Sequence, residues 1–540
     1  MNNVSQSHFD AVIIGAGFGG MYAIFKLRAT GMSVRAFEAG TDVGGTWYWN
    51  RYPGARCDVE SIEYSYSFSE ELQQEWSWSE RYASQPEILR YAGHVADRFG
   101  LREDIRFNQR VLTAEFDPAV NLWTVRTDKG EVATAQFLIT AAGCLSVPRM
   151  PDIPGRDDFG GNLYHTGAWP HEGVDFTGRR VGVIGTGSSG IQVIPQIAKA
   201  AAHCTVFQRT PNFSLAAYNK PMDPDLAREY KQNYATHRAK ARHAAAGIAS
   251  HPTPEKGAFD DSPSEREKLY EIGWNWGNTG FTRIYKDILS NLEANDTMAD
   301  FVRRKIRDMV KNPDVAAMLT PNDHPIGTKR ICLDTDYFET YNRDNVSLVD
   351  VRKHPITSIS REGIHTDNEA YPLDAIVFAT GYDAVTGAIL GIDIRVKGRQ
   401  ESLAEKWSAG PRTYLGLMTA GFPNLFFITG PGSPSVLTNM ISSIEQHVEW
   451  IAECLQYLRS SSVHRMEAQL NSEDAWVTHV NEVADTTLFP RAASWYIGAN
   501  IPGKPRVFLP YVGGLGRYRA RCDEVARRGY EGFSLDETAA

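Results

Sequence analysis

The sequence predicts an α/β fold in which two βαβ units of the dinucleotide-binding, Rossmann-like kind carry a helical insert. Three observations predict it. Gly15-Ala16-Gly17-Phe18-Gly19-Gly20 follows a short apolar run at 9–14 and opens a helix-like stretch. Gly185-Thr186-Gly187-Ser188-Ser189-Gly190 repeats the arrangement after an apolar run at 180–184. Between 220 and 325 the strand–helix rhythm stops and the composition turns charged and helical. A lone Gly-x-Gly-x-x-Gly is a weak signal, but a strand before it and a helix after it make each copy specific.

In chain order, 9–14 reads as a strand, 21–30 as a helix that Gly31 stops, and 33–37 as the next strand, ending at Glu38. The first glycine makes the tight turn, the second lets the backbone approach a pyrophosphate, and the third lets helix and strand pack closely. The second unit has a strand at 180–184, a helix from 191 to 201 and a strand at 205–207, followed by Gln208, Arg209 and Thr210. Apolar runs at 137–143 and 375–381 end in small residues and glycine, and mark where the chain crosses between the units. A strand at 424–428 leads into a Gly/Pro-rich loop, 430–434. Within the insert, 223–246 is helical in composition and 250–264 is a loop. Met298, Phe301, Val302, Ile306, Met309 and Val310 lie at helical spacing and read as core.

The chain has 540 residues, which implies about two to four domains. The expected division is a first FAD-binding part at 1–146, a first NADP-binding part at 147–217, the helical insert at 218–327, a second NADP-binding part at 328–381 and a C-terminal FAD-binding part at 382–540. A net charge of −9 argues against nucleic acid or an anionic membrane surface as partner. Cysteines 57, 144, 204, 332, 454 and 522 include no Cys-x-x-Cys pair, so free buried thiols in a reducing compartment are expected. That spacing also weighs against a dithiol reductase. The polar lead from Met1 to His8 carries no targeting signal, and no apolar stretch approaches the roughly 18 residues of a membrane span. A cytoplasmic, monomeric protein is expected. No histidine has a partner at metal-ligand spacing, so no metal is expected.

The two units differ where an adenosine ribose would lie. Glu38 can accept from ribose hydroxyls and would repel a 2′-phosphate, whereas Arg209 offers a forked cation suited to one. FAD is therefore expected in the first unit and NADPH in the second.

Two longer motifs go further. Phe159, Gly161, His165, Trp169 and Pro170 meet the pattern Phe-x-Gly-x-x-x-His-x-x-x-Trp-Pro, and residues 44–58 run Gly-Gly-Thr-Trp-Tyr-Trp-Asn-Arg-Tyr-Pro-Gly-Ala-Arg-Cys-Asp. On these motifs the chain, from about residue 9 to about 534, resembles the flavin-dependent Baeyer–Villiger monooxygenases. It most resembles the phenylacetone and steroid monooxygenase subgroup. The resemblance implies oxidation of a small-molecule ketone by O2 and NADPH to an ester or lactone through a C4a-peroxyflavin. It makes Arg330 the catalytic cation and Asp58 its acidic partner.

The resemblance also distributes the cofactor contacts. FAD would meet Gly15, Gly17, Phe18, Gly19, Gly20, Glu38, Thr46, Trp47, Tyr48, Trp49, Tyr64 and the backbone of Val111. NADPH would meet Arg56, Asp58, Thr186, Gly187, Ser188, Ser189, Gly190, Ile191, Gln192, Arg209, Thr210, Lys329 and Trp495, and Cys57, Arg330 and Met440 would lie against one of the two cofactors. Substrate would lie near Ser435, Val436, Leu437 and Met440, and His165 would couple domain movement to catalysis. Two alternatives remain at this stage: a flavin N- or S-monooxygenase, and a non-oxygenating FAD/NADPH redox sensor.

Overall fold

The computed structural model describes residues 7–536. The polar lead therefore falls, apart from Ser7 and His8, outside the described residues, as do the last four positions of the C-terminal part. The first sheet is built from β1 (Ser7–Ile14), β2 (Val34–Phe37), β3 (Ile105–Arg106), β4 (Val111–Asp117), β5 (Leu122–Thr127) and β6 (Val132–Thr140). Helix α1 (Phe18–Ala29) joins β1 to β2, and α2 (Thr46–Trp49), α3 (Glu70–Glu75) and α4 (Gln85–Arg98) precede β3. The chain then enters a second sheet through β7 (Asn162–His165), β8 (Arg180–Ile184), α5 (Ser188–Ala200) and β9 (His203–Gln208).

A separate parallel pair, β10 (Ser214–Ala216) and β11 (Cys332–Asp334), brackets α6 (Pro224–His243), α7 (Pro263–Trp276), α8 (Leu292–Met309) and α9 (Pro313–Leu319). After α10 (Tyr337–Thr340) come β12 (Val346–Asp350), an antiparallel meander of β13 (Ile356–Ile359), β14 (Gly363–Thr366) and β15 (Ala370–Pro372), and β16 (Ala375–Phe378). The second sheet has the order β12-β9-β8-β16-β7 and is parallel throughout. The chain returns through α11 (Gly387–Leu390), β17 (Asp393–Val396), α12 (Leu403–Lys406) and β18 (Leu425–Phe427), and ends with α13 (Met440–Ser460), β19 (Arg465–Ala468), α14 (Leu470–Asp485), α15 (Leu515–Arg527) and β20 (Phe533–Asp536).

β6 holds the first sheet together. One edge runs parallel to β1, with Phe137 opposite Ala11. Its other edge is shared: residues 132–135 pair antiparallel with β5, and Leu138–Thr140 pair parallel with β18. The returning chain is thereby stitched to the strand it left. In the second sheet Ala375, Ile376, Val377 and Phe378 are all buried, as expected of a parallel strand covered on both faces.

Both nucleotide-facing helices start inside the glycine fingerprints, at Phe18 and Ser188 rather than at Met21 and Ile191. The cause is steric. A Cβ on Gly20 would lie 1.9 Å from the Gly15 carbonyl oxygen, and one on Gly190 would lie 2.2 Å from that of Gly185, so only glycine lets the helix begin against its own turn. The stripe Met298, Phe301, Val302 and Ile306 on α8 is buried in one core with Val181 and Val183 of β8. Helix α6 lies instead against α3 and α15, and its Tyr230 and Tyr234 pack on Ile62. The short strands at 346–372 were not read from the sequence; β13 and β15 are half-exposed, β14 is mostly buried, and none of these three exceeds four residues.

Candidate active site

The first glycine loop leaves helix α1 with Gly17 as N-cap and no side chain capping it, so its leading N–H groups are free to meet an anion. Buried Glu38 accepts from the Ala16 N–H at 2.8 Å and the Gly40 N–H at 2.7 Å. Burial raises its pKa, and those two donors oppose the rise. Glu38 thus braces the loop with one bond to each carboxylate oxygen and keeps acceptor capacity at the β2 end. Tyr66 donates to the Phe18 carbonyl at 2.5 Å, and Trp47 Nε1 donates to the Tyr64 hydroxyl at 3.1 Å. Tyr48 is held by Thr41 at 2.6 Å and stands edge-on to Trp49 with ring centres 4.9 Å apart. Thr46 is exposed, and Val111 is buried at the start of β4.

The second loop has the same form, with Gly187 as an uncapped helix N-cap and an open approach: a Cβ on Gly187 would meet nothing within 4 Å. Gly187 and Ser188 are exposed, and Ser189 is half-buried. Thr186 Oγ1 donates to the Thr210 carbonyl at 3.1 Å, tying the loop to the end of β9. Ile191 is buried in the core, and its N–H donates to the Gly187 carbonyl at 2.9 Å. The Gln192 amide is engaged at both ends, accepting from Tyr52 and donating to the Arg56 carbonyl. Arg209 is exposed, and Lys329 is half-buried near it. Burial lowers the Lys329 pKa, Asp323 opposes, and Arg209 and Arg352 lower it further. An anion beside Lys329 and Arg209 would relieve that repulsion.

Arg330 stands just before β11. Its Nε donates to Asp58 Oδ2 at 2.7 Å, its Nη2 to Asp58 Oδ1 at 2.8 Å, and its Nη1 to the Val436 carbonyl at 2.7 Å. Burial alone would lower the pKa of this guanidinium; Asp58 outweighs burial, and Tyr496 adds to the rise. Three of its five donors are committed to Asp58 and Val436, and Tyr496 stands beside the other two. Asp58 is placed by the preceding Cys57, whose N–H donates to the Ala83 carbonyl at 3.2 Å. The Arg56 side chain turns away to Glu80 at 2.5 Å.

The loop presenting Val436 is tightly constrained. Ser435 has a φ of 44°, is buried, and meets the Cys144 thiol at 3.1 Å. Val436, Leu437 and Met440 share an apolar cluster with Ala246 and Ile248 from the segment after α6. Asn439 caps α13 and donates through its own N–H to the Ala246 carbonyl at 2.8 Å. Trp495 is half-buried, 4.3 Å ring to ring from Tyr496. Tyr496, Cys144, Ala246 and Ile248 escaped the sequence reading. Only Tyr496 had a signal, its adjacency to Trp495.

His165 stands apart from this centre at the end of β7. Its Nδ1 accepts from the Gly167 N–H at 2.9 Å, so Nε2 carries the proton toward the Arg149 carbonyl at 3.2 Å. Burial lowers its pKa. It joins the outgoing crossing at Arg149 to the returning one at Thr380, its other neighbour at 3.2 Å. Among the described residues no His/Cys/Asp/Glu group is arranged to hold a metal ion, no helix is long and apolar enough to cross a membrane, and all six cysteines are free and buried.

Two dinucleotide loops and a fixed cation, with no thiol pair between them, define a flavin- and nicotinamide-dependent oxidoreductase. Comparison with known proteins narrows this. A family model described as "Pyridine nucleotide-disulphide oxidoreductase" matches residues 12–256. A Baeyer-Villiger monooxygenase of Pseudooceanicola batsensis is 44% identical over 98% of this chain and 97% of its own. A phenazine N-monooxygenase of Lysobacter antibioticus is 43% identical over 98% of this chain and 97% of its own. The solved structure of an oxidized steroid monooxygenase bound to NADP superposes with a TM-score of 0.94 at 51% identity, covering 98% of this chain and 100% of that one. The chain belongs to the Baeyer–Villiger monooxygenase family.

Proposed function

We propose that the protein binds FAD in the first unit and NADPH in the second, and that it uses O2 to convert a small ketone to an ester or lactone. The balance is ketone, O2, NADPH and a proton in; ester or lactone, NADP+ and water out. The residues fit both groups: Gly15 to Gly20 with Glu38 suit a dinucleotide whose ribose hydroxyls are free, and Gly187 with Arg209 and Lys329 suits one with a 2′-phosphate. The boundaries near 146, 217, 327 and 381 belong to this reading. The six free thiols support a reducing, cytoplasmic setting, and the chain is taken as a monomer.

The observation that carries the reading is the fork between Arg330 and Asp58. Reduced flavin with O2 supplies the oxidant, and the finer reading is that Arg330 stabilises the C4a-peroxyflavin. A guanidinium keeps its proton even when desolvated, so it can hold an anion without quenching it. Asp58 fixes its plane and compensates its burial. Val436, Leu437, Met440, Ala246 and Ile248 provide an apolar wall that excludes water from the ketone. Incubating the holoenzyme with NADPH, 18O2 and a panel of cyclic, aromatic, linear and steroidal ketones tests this. One labelled oxygen in an ester supports it; NADPH oxidation that only reduces O2 to hydrogen peroxide, with every ketone, refutes it and favours a redox sensor.

A second reading, oxygenation of an aromatic nitrogen, is favoured by the phenazine N-monooxygenase relative. Offering a phenazine beside the ketones separates the two: N-oxide without any ester would select the second.

A further inference from the structure

The segment 44–58 touches the first glycine loop and helix α5 behind the second, and carries the Arg330 partner. At one end a Cβ on Gly45 would lie 2.9 Å from the Gly17 Cα. At the other, a Cβ on Gly54 would lie 2.5 Å from the Gln192 carbonyl oxygen and 2.9 Å from Gln196 Cγ. Backbone therefore rests on backbone at both ends. Between these contacts and Asp58, the Gln192 side chain gives both amide atoms to the segment. Tyr52 Oη donates to Gln192 Oε1 at 2.8 Å, and Gln192 Nε2 donates to the Arg56 carbonyl at 2.9 Å. A carbonyl only accepts, so the amide has one orientation that satisfies both bonds. Asn50, earlier in the segment, accepts from the Tyr382 hydroxyl just beyond β16 and donates to the Thr46 carbonyl at 2.8 Å.

Gln192 occupies the second turn of α5, directly behind the loop whose N–H groups face outward. An anion held at that helix end orders the turns behind it, and groups hydrogen-bonded to those turns share the ordering. We propose that Gln192 is a positioning residue, which with Tyr52 transmits occupancy of the second glycine loop to Asp58 and so to the Arg330 guanidinium. The inference rests on the placement of NADPH in the second unit.

Hydrogen exchange of the holoenzyme with and without saturating NADP+, read at amides 50–58, tests it. NADP+ binding is measured separately by titration of the flavin absorbance. In the wild-type protein NADP+ is expected to slow exchange there by about fivefold, the worth of one hydrogen bond of roughly 1 kcal/mol. Tyr52→Phe keeps the ring and removes only the donated bond; Gln192→Leu keeps the volume and removes both. Each is expected to bind NADP+ yet lose that slowing, and to divert NADPH oxidation from ester toward hydrogen peroxide. Wild-type-like slowing in both variants overturns the role of Gln192. Absence of any NADP+ titration by the wild-type protein overturns the cofactor placement itself, and the proposal with it.

Discussion

Arg330 and Asp58, 272 residues apart in the chain, meet through two parallel N–H···O bonds of 2.7 and 2.8 Å. The pair joins the loop before β11 to the loop after α2, so it exists only when the two units are docked. A third donor of Arg330 bonds the Val436 carbonyl at 2.7 Å, and the Tyr496 phenol stands beside it.

Replacing Arg330 by alanine is expected to leave FAD bound and reducible by NADPH while ester formation falls about 10²–10³-fold or more, the usual loss for one removed oxyanion donor. Arg330→Lys keeps the charge but cannot make the fork, and should recover only part of the activity. Rapid-reaction spectra and product yield per NADPH measure both. Ester formation by Arg330→Ala near the wild-type rate would refute the assignment.

Gly187→Ala and Gly190→Ala should fail in different ways. The first adds a methyl group where nothing lies within 4 Å, so folding should be unchanged while a pyrophosphate is kept from the backbone. The second drives a Cβ to 2.2 Å from the Gly185 oxygen and should lower thermal stability. Melting curves with and without NADP+ distinguish them: Gly187→Ala keeps its melting temperature and loses the NADP+ increment.

Lys329→Ala is expected to weaken NADPH more than tenfold, and NADH about twofold, since only NADPH presents the phosphate to this cation. The pH dependence has a definite sign. Burial and the cations Arg209 and Arg352 lower the Lys329 pKa, so the free protein loses this charge at a lower pH than an ordinary lysine would. Preference for NADPH over NADH should therefore decline on the alkaline side, and the decline should vanish in the variant. Steady-state KM values for both nucleotides across pH 7–10 test it.

His447 anchors the loop that follows β18. Its Nδ1 accepts from the Thr429 N–H at 2.8 Å and its Nε2 faces the Tyr518 hydroxyl at 2.9 Å, an arrangement that needs the neutral ring. Burial depresses its pKa from about 6.5 to about 3. The folded state thus binds this proton later than the unfolded chain, so the stability contribution present near neutral pH is lost as the pH falls from about 6.5 toward about 3. His447→Gln should be less stable at pH 7 by about 1–3 kcal/mol, the cost of a buried group left unpaired. Denaturant titrations should show that gap narrowing by pH 5.

Much of this was legible in one dimension because the decisive signals are local. Gly15 to Gly20 and Gly185 to Gly190 each need a strand before and a helix after, and both contexts lie within a few residues. Phe159 to Pro170 and Gly44 to Asp58 form continuous motifs. Tyr496, by contrast, acquires meaning only from the guanidinium beside it. Ile248 reaches the Val436 cluster through a loop pinned by Asn439, and Cys144 through a contact with Ser435. No periodicity or spacing encodes such meetings.

The family motifs singled out Arg330 and Asp58; the sequence by itself determined that two dinucleotide loops exist and that the first unit ends at a carboxylate, Glu38, and the second at a cation, Arg209. Those properties reside in backbone freedom at glycine and in the charge of single side chains. The tertiary structure alone decided that Arg330 and Asp58 share a planar fork, that Gln192 spends its amide on the neighbouring unit, and that α6 leans on α3 and α15 while α7 to α9 serve the second core. The reason is that hydrogen bonds of about 2.8 Å between residues more than a hundred positions apart depend on how whole sheets dock, and docking is set by burial summed over many side chains rather than by any one of them.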